Sequence, residues 1–347
     1  MRAITVEPGV ADSARLEDMP EPDPALGSIV VRTLAMGVCG TDLEIVHGEY
    51  GEAPPGASRL IIGHESLGEV VEAPAGSGLK PGQHVAGIVR LPDPVPCVSC
   101  AHGEWDMCVN GKYTEHGIKG LHGFGAERFR VKEGFAVPVD SSLGLVGVLM
   151  EPTSVVAKAW DHIDRIVARA VWRPHTVLVT GAGPIGLLAA LLGVQRGHHV
   201  HVLDRVTEGP KPALVRDLGG EYHSESADHL KDQMDIVIEC TGVGQLILQV
   251  MSVVAPCGIV CLTGVSSHGR AWPVDLQGLN RELVLENNVI FGSVNANRRH
   301  YEAAADALAK ADRGWLERLI TRKVPVTSWA DALNRTPNDV KPIITFG

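Results

Sequence analysis

The chain has 347 residues, 45% of them hydrophobic and 21% charged, which is ordinary for a soluble globular protein and long enough for two domains. A net charge of −10 disfavours nucleic-acid and membrane-surface partners. The first residues, MRAITVEPG, lack a signal peptide's apolar core, and no apolar run in the sequence reads as long enough to span a bilayer. The expected compartment is the cytoplasm, where the seven cysteines serve as thiols or metal ligands rather than disulfides.

Residues 1 to about 150 carry β-branched runs broken by Gly and Pro, at 28–34, 60–62 with 67–72, 83–90 and 127–132. Short strands with frequent turn signals predict a β-rich, barrel-like domain. The texture changes at Glu151. Residues 152–170 read as a linking helix that ends before Arg173-Pro174. Strands and helices then alternate: strand 177–179, helix 187–194, strand 199–203, helix 211–218, strand 235–239, helix 244–254, strand 258–262, helix 279–286, strand 289–292. This is the pattern of a doubly wound parallel sheet. A helix over 299–310 and strands over 321–326 and 341–346 follow the completed sheet, so the tail is expected to return to the first domain. The layout is a β-rich domain of residues 1–152 and 297–347 around an inserted nucleotide-binding domain, 153–296.

The inserted domain opens on residues 177–186, VLVTGAGPIG. A strand, a glycine turn and a helix give Gly181, Gly183 and Gly186 the context in which G-x-G-x-x-G means dinucleotide binding. Pro184 and Ile185 lie in the first helical turn, whose free amides suit a pyrophosphate. Asp204 ends the next strand 18 residues after Gly186 (204 − 186), close to the spacing of a ribose-binding acid. Its carboxylate favours NAD, whereas Arg205 could meet the 2′-phosphate of NADP, so NAD or dual use is expected.

Three features before that domain suggest zinc: Cys39 in Gly-Val-Cys-Gly-Thr-Asp, His64 with Glu65 after Gly63, and Glu151 at the linker helix. Thiolate, imidazole and carboxylate are zinc donors, and a catalytic zinc takes about three with one position open. Spacing alone leaves the alternative open: a buried cysteine, a surface histidine and a helix N-terminal glutamate. Thr41 likewise reads as a proton acceptor or as the cap of a helix begun at Asp42.

The order Cys-Gly-Thr-Asp, Gly-His-Glu, a late acid, then G-x-G-x-x-G resembles the zinc-dependent medium-chain dehydrogenases over essentially the full chain. That resemblance implies a GroES-like catalytic domain beside a Rossmann domain. It also implies a catalytic zinc held by Cys39, His64, Glu65 and Glu151, with Glu65 able to exchange with water. Thr41 would take the substrate proton and Asp42 would help pass it outward. Thr241 and Thr263 join the coenzyme-binding set. Cys97, Cys100 and Cys108 resemble the family's structural-zinc lobe, with Pro94 where a fourth cysteine would stand. Asp93 could supply the missing donor; otherwise Trp105 and the prolines hold an empty lobe.

Arg90-Leu91-Pro92, residues 111–118 (GKYTEHGI), Leu121-His122-Gly123-Phe124, Glu151-Pro152, Gly292-Ser293-Val294-Asn295 and Arg299-His300-Tyr301 resemble one branch, the glucose dehydrogenases of archaea and bacteria. The branch implies that Glu115, Glu151 and His300 bind sugar, with Asn295 near the nicotinamide. A polyol needs several fixed donors and acceptors. The alternative is a solvated Glu115 and a helix-start His300. The implied reaction is oxidation of the sugar C1 hydroxyl to the lactone, with hydride transfer to NAD(P). Polyol, threonine or alcohol dehydrogenases share the scaffold. A zinc-free reductase would not need Cys39, His64 and Glu151 together, and a nucleotide sensor without turnover would not need Thr41 as well. The family also implies a homodimer or homotetramer, paired near Val289.

Overall fold

The computed structural model describes residues 1–231, 233–266 and 271–347. Contacts divide the chain into two units, Met1–Ser154 with Asn295–Gly347, and Val155–Val294.

The first unit is built on a seven-stranded sheet. Its main path runs Ala136–Val139, His84–Gly87, Glu65–Glu72, Ile29–Gly37, Lys341–Thr345, Ile320–Pro325, and Arg128–Val131 pairs with Ile29–Gly37. The strand Ile29–Gly37 is the hub. Gly37 lies opposite Glu65 on one side and Ile343 on the other. The chain's last strand, from the unit's second segment, is thereby paired with a strand of its first segment. A mainly aliphatic cluster including Ile4, Met36, Val38, Ile45, Leu60 and Ile344 packs this unit, beside a second cluster around Phe124 and Phe129.

The second unit is a six-stranded parallel sheet in the order Glu221–His223, His199–Leu203, Thr176–Thr180, Met234–Glu239, Val254–Leu262, Val289–Gly292. The first strand in sequence, Thr176–Thr180, is central, and the order reverses beside it. That reversal opens the carboxyl ends of the strands to a ligand. Helix Pro184–Gln195 is hydrophobic all round and buried from Gly186 to Gly193, as a helix packed within a domain should be.

Among the described residues one helical stretch is long and apolar enough to be compared with a membrane span. The 27-residue stretch Ser141–Val167 joins a 3-10 segment kinked at Gly144 to the helix Met150–Val167, and 78% of its apolar window is buried inside the protein. Its hydrophobicity is that of a core element. Strands outside the expected runs include Arg2–Val6, Ala136–Val139 and Glu221–His223. The last, Glu-Tyr-His, has no aliphatic residue, and only its pairing with His199–Leu203 makes it a strand.

His116 is 4% exposed, stacks on Phe124 at 4.6 Å, and its Nδ1 lies 2.8 Å from the His122 carbonyl. Burial pushes it down from 6.5 to about 4. The unfolded chain therefore binds this proton more tightly. Stability is lost as pH falls below 6.5, and the loss is complete near pH 4, at about 3 kcal/mol. Urea unfolding of His116→Gln should show a flatter decline between pH 7 and pH 4 than the parent.

Candidate functional site

In the first unit, Cys39 lies two residues past the end of the hub strand and is the N-cap of helix Gly40–Val46. The Cys39 backbone N–H donates to Asp42 Oδ2 at 2.9 Å. The helix begins at Gly40, so Thr41 sits within its first turn and is not its cap. Cys39 Sγ lies 3.0 Å from His64 Nε2. Behind the ring, His64 Nδ1 faces Asp42 Oδ1 at 3.4 Å, and both atoms are buried without a hydrogen-bond partner. A carboxylate only accepts, so in the neutral, metal-binding form of His64 the proton sits on Nδ1 and the Nε2 lone pair lies beside the thiol. Burial opposes charge on His64, but Cys39 and Asp42 outweigh it and hold the imidazole well above its ordinary range. Thiol, imidazole and a carboxylate behind the imidazole form a donor set with the outer partner that zinc-bound histidines require. The residues fit zinc.

Asp42 has no exposed surface. Contrary to the expected outward relay, its two oxygens hold the Cys39 amide and face His64, which makes it a positioning group.

Donor atoms of Cys39, His64 and Glu65 lie within 4.8 Å of one another. Glu65 is also committed elsewhere: Lys341 Nζ donates to its Oε1 at 2.7 Å and Oε2 at 2.6 Å, and to the Val38 carbonyl at 3.2 Å. Lys341 and Glu65 are 1% and 2% exposed. Gly37 leaves room for this pair, because a Cβ there would stand 2.0 Å from Glu65 Oε2. Glu151, in the first turn of helix Met150–Val167, lies outside the 4.8 Å group but is buried near it. Burial pushes its carboxyl up to about 7, with His64 opposing and Glu65 adding to the rise.

A second polar cluster gathers the expected sugar residues. Glu115 is buried, and its Oε1 accepts from Arg90 Nε at 3.0 Å and from Asn295 Nδ2 at 2.9 Å. Glu115 is therefore not a solvated loop acid. Asn295 adopts φ +63°, a turn Asn tolerates, and its Oδ1 accepts from the Ala296 N–H at 2.7 Å. Next to it, His300 closes a capping box with Asn297 at the start of helix Arg298–Lys310: the Asn297 N–H donates to His300 Nδ1 at 3.1 Å. Asn297 Nδ2 donates to Asp106 Oδ1 at 2.7 Å, and the Asp106 carbonyl accepts from Arg90. His300 is both a helix-start residue and part of a buried polar layer with Asp106 and Asn297. The roles of Arg90, Asp106, Asn297 and Lys341 were not read from sequence. The available signal was a charge inside a strand-forming run, as in Val-Lys-Pro-Ile-Ile.

The thiols of Cys97, Cys100 and Cys108 also lie within 4.8 Å of one another. Backbone N–H groups of Cys100 and Val109 push the Cys97 thiol down to about 6. Asp93 does not complete this group. Its Oδ1 accepts from the Val95 N–H at 3.0 Å and its Oδ2 from Asn110, whose own Oδ1 meets Cys108 Sγ at 3.0 Å. Trp105 packs on Phe135 with ring centroids 5.1 Å apart.

In the second unit, Gly181 has φ +86°, and a Cβ on Gly186 would stand 1.7 Å from the Gly181 carbonyl oxygen. The chain itself therefore demands both glycines. Gly183, which caps helix Pro184–Gln195, would meet nothing within 4 Å. Its missing side chain leaves a cradle open to a ligand beside the helix's first amides, including that of Ile185, which fits a pyrophosphate. Asp204 Oδ2 accepts from the Ala182 N–H at 2.7 Å and pairs with Lys211 Nζ at 3.3 Å, and Oδ1 accepts from the Val206 N–H at 2.9 Å. This acid holds the turn, and Lys211 stands beside it near the exposed Arg205. Thr241 and Thr263 are turned inward: Thr241 Oγ1 donates to Glu239 Oε1, and Thr263 Oγ1 to the Glu239 carbonyl at 2.7 Å. Fully buried Glu239 also accepts from Thr180 Oγ1 at 3.1 Å and Gly242 N–H at 3.1 Å, tying three strand ends together.

The model of the glucose dehydrogenase C-terminus matches residues 144–346, and that of the alcohol dehydrogenase GroES-like domain matches residues 25–141. The chain is 38% identical to a glucose 1-dehydrogenase of Methanocella arvoryzae, covering 100% of both chains. It is 40% identical to one of Thermoproteus tenax, covering 99% of each. Its structure superposes on that of a Haloferax mediterranei glucose dehydrogenase in complex with NADP, Zn and gluconolactone, with TM-score 0.92 and 34% identity over 100% of this chain and 99% of that one.

Proposed function

The chain belongs to the zinc-dependent medium-chain dehydrogenases, in their glucose dehydrogenase branch, and from that membership we propose that it oxidises the C1 hydroxyl of glucose to the lactone and reduces NAD(P). The observation that carries this reading is the 3.0 Å approach of Cys39 Sγ to His64 Nε2 with buried Asp42 behind the ring.

Cys39 and His64 hold the zinc, with Glu65 and Glu151 as nearby carboxylates. When bound, the ion supplies a Lewis acid that lowers the pKa of the substrate hydroxyl. Asp42 fixes the imidazole tautomer. The Thr41 hydroxyl accepts the proton and releases it to solvent, while the hydride leaves carbon 1 for the nicotinamide. Glu115, held rigid by Arg90 and Asn295, accepts hydrogen bonds from sugar hydroxyls, and His300 and Glu151 complete the polar surface. The glycine turn binds the pyrophosphate. Residues 1–152 with 297–347 form the catalytic domain, and residues 153–296 the coenzyme domain. Cys97, Cys100 and Cys108 hold a second, structural zinc. The enzyme works in the cytoplasm as a homodimer or homotetramer, for which the terminal sheet strand Val289–Gly292 is the pairing edge.

A substrate panel read by the absorbance of reduced coenzyme tests the reaction. Glucose should turn over at least tenfold faster than sorbitol, threonine or primary alcohols. A preference for sorbitol would overturn oxidation at C1.

Asp204→Ala should raise kcat/KM with NADP relative to NAD by about tenfold, about 1.4 kcal/mol, since it removes a carboxylate that repels a 2′-phosphate and leaves Lys211 and Arg205. Steady-state kinetics with both coenzymes read the ratio. An unchanged ratio would remove Asp204 from coenzyme selection.

A further inference from the structure

The second unit carries a row of imidazoles that the dehydrogenase reaction does not use. Strand His199–Leu203 pairs in parallel with the terminal strand Glu221–His223, His201 opposite Glu221 and Leu203 opposite His223. Side chains alternate along a strand, so His199, His201, Glu221 and His223 share one face. His201 Nδ1 lies 2.9 Å from His223 Nε2 and 3.6 Å from Glu221 Oε2, and His199 Nε2 lies 3.0 Å from Glu221 Oε1. Donor atoms of His199, His201 and Glu221 fall within 4.8 Å of one another.

The tautomers are set from outside the group. His229 Nδ1 lies 2.6 Å from the Ser226 carbonyl, which only accepts, so that nitrogen carries the proton. His229 Nε2 then accepts from His223 Nδ1 at 3.2 Å. The lone pair of His223 Nε2 is therefore aimed at His201 Nδ1. His229 and the Ser226 carbonyl thus play the part of the outer partners that orient metal-bound histidines.

We propose that His199, His201 and Glu221 bind one divalent transition-metal ion of the zinc class on this sheet edge, with His223 a further imidazole held against His201. Zinc–nitrogen bonds of 2.0–2.1 Å put tetrahedral donors about 3.3 Å apart. The separations of 3.0 and 3.6 Å bracket that value. Two imidazoles and one carboxylate suit zinc, nickel or copper rather than magnesium or calcium. The side chains of His199 and Glu221 are 53% and 54% exposed while His201 is 9% exposed, so the site has a fixed base and an open mouth. The ion would add a side-chain link between the three-residue strand Glu221–His223 and its neighbour His199–Leu203.

The test is zinc content. Full-length protein is stripped with chelator, dialysed against Zn2+ at micromolar concentration, and assayed by atomic emission. Wild-type protein should carry one zinc per chain more than His201→Gln, with glucose turnover equal within twofold. X-ray absorption of the ion in protein whose cysteine sites were filled first should show nitrogen and oxygen neighbours without sulfur. Glu221→Gln, on the exposed strand start, should lower zinc affinity at least tenfold and serves if His201→Gln does not fold. Equal zinc content and equal affinity in wild type and variants would overturn the proposal.

Discussion

Cys39→Ala should lower kcat/KM for glucose by about 10³-fold or more and abolish tight binding of the zinc at this corner. A Lewis acid at the reacting oxygen is worth several kcal/mol, and each 1.36 kcal/mol is tenfold in rate. The thiol and His64 Nε2 are 3.0 Å apart and are the nearest donors in the corner, so removal of either leaves an incomplete ligand set. His64→Ala should behave alike. Asp42→Asn should be milder. It keeps the shape but weakens the acceptor facing His64 Nδ1, and loss of such outer partners costs about 10–100-fold in metal affinity. Steady-state kinetics and metal analysis on the same samples read both effects. A Cys39→Ala enzyme with full zinc content and undiminished turnover would show that this thiol is no ligand.

Lys341→Met should destabilise the protein by about 3–5 kcal/mol, the usual result of removing one partner of a buried ion pair. The Glu65 carboxylate would stay 2% exposed, having lost the ammonium that meets both its oxygens at 2.7 and 2.6 Å. The Val38 carbonyl, next to Cys39, would lose its donor as well. Two remedies separate the causes. Glu65→Gln in the Lys341→Met background removes the stranded charge and should recover most of the stability. If Glu65 also serves the metal, the double variant should remain impaired in turnover despite that recovery. Urea unfolding followed by kinetics distinguishes the two. A Lys341→Met protein as stable as its parent would mean that water reaches Glu65.

The parts legible in sequence were those whose signal is local. The glycine turn declares itself because a strand, three glycines and a helix are contiguous, and the close approach of Gly186 to the Gly181 carbonyl confirms why glycine stands there. Cys39 and His64 were reachable through short motifs. What stayed hidden depends on register between distant strands. Lys341 meets Glu65 across 276 residues of sequence, and Asn295 meets Glu115 across 180. No spacing rule announces either. Asp93, Thr241 and Thr263 are a different case, in which the sequence shows the residue type but not its partner. Their types suited a ligand, but nearer partners, Asn110 for the first and Glu239 for the threonines, claim their oxygens. Asp42 was read as a relay because it neighbours Thr41, whereas the helix turn buries it under His64.

The most direct measurement is the rise in reduced-coenzyme absorbance when glucose is added to the purified enzyme, repeated after exhaustive chelation and again after zinc is restored. Turnover should be present at the start, fall by at least 10³-fold on chelation, and return with zinc in the wild type but not in Cys39→Ala. Undiminished glucose oxidation in fully stripped protein would contradict the zinc-dependent mechanism.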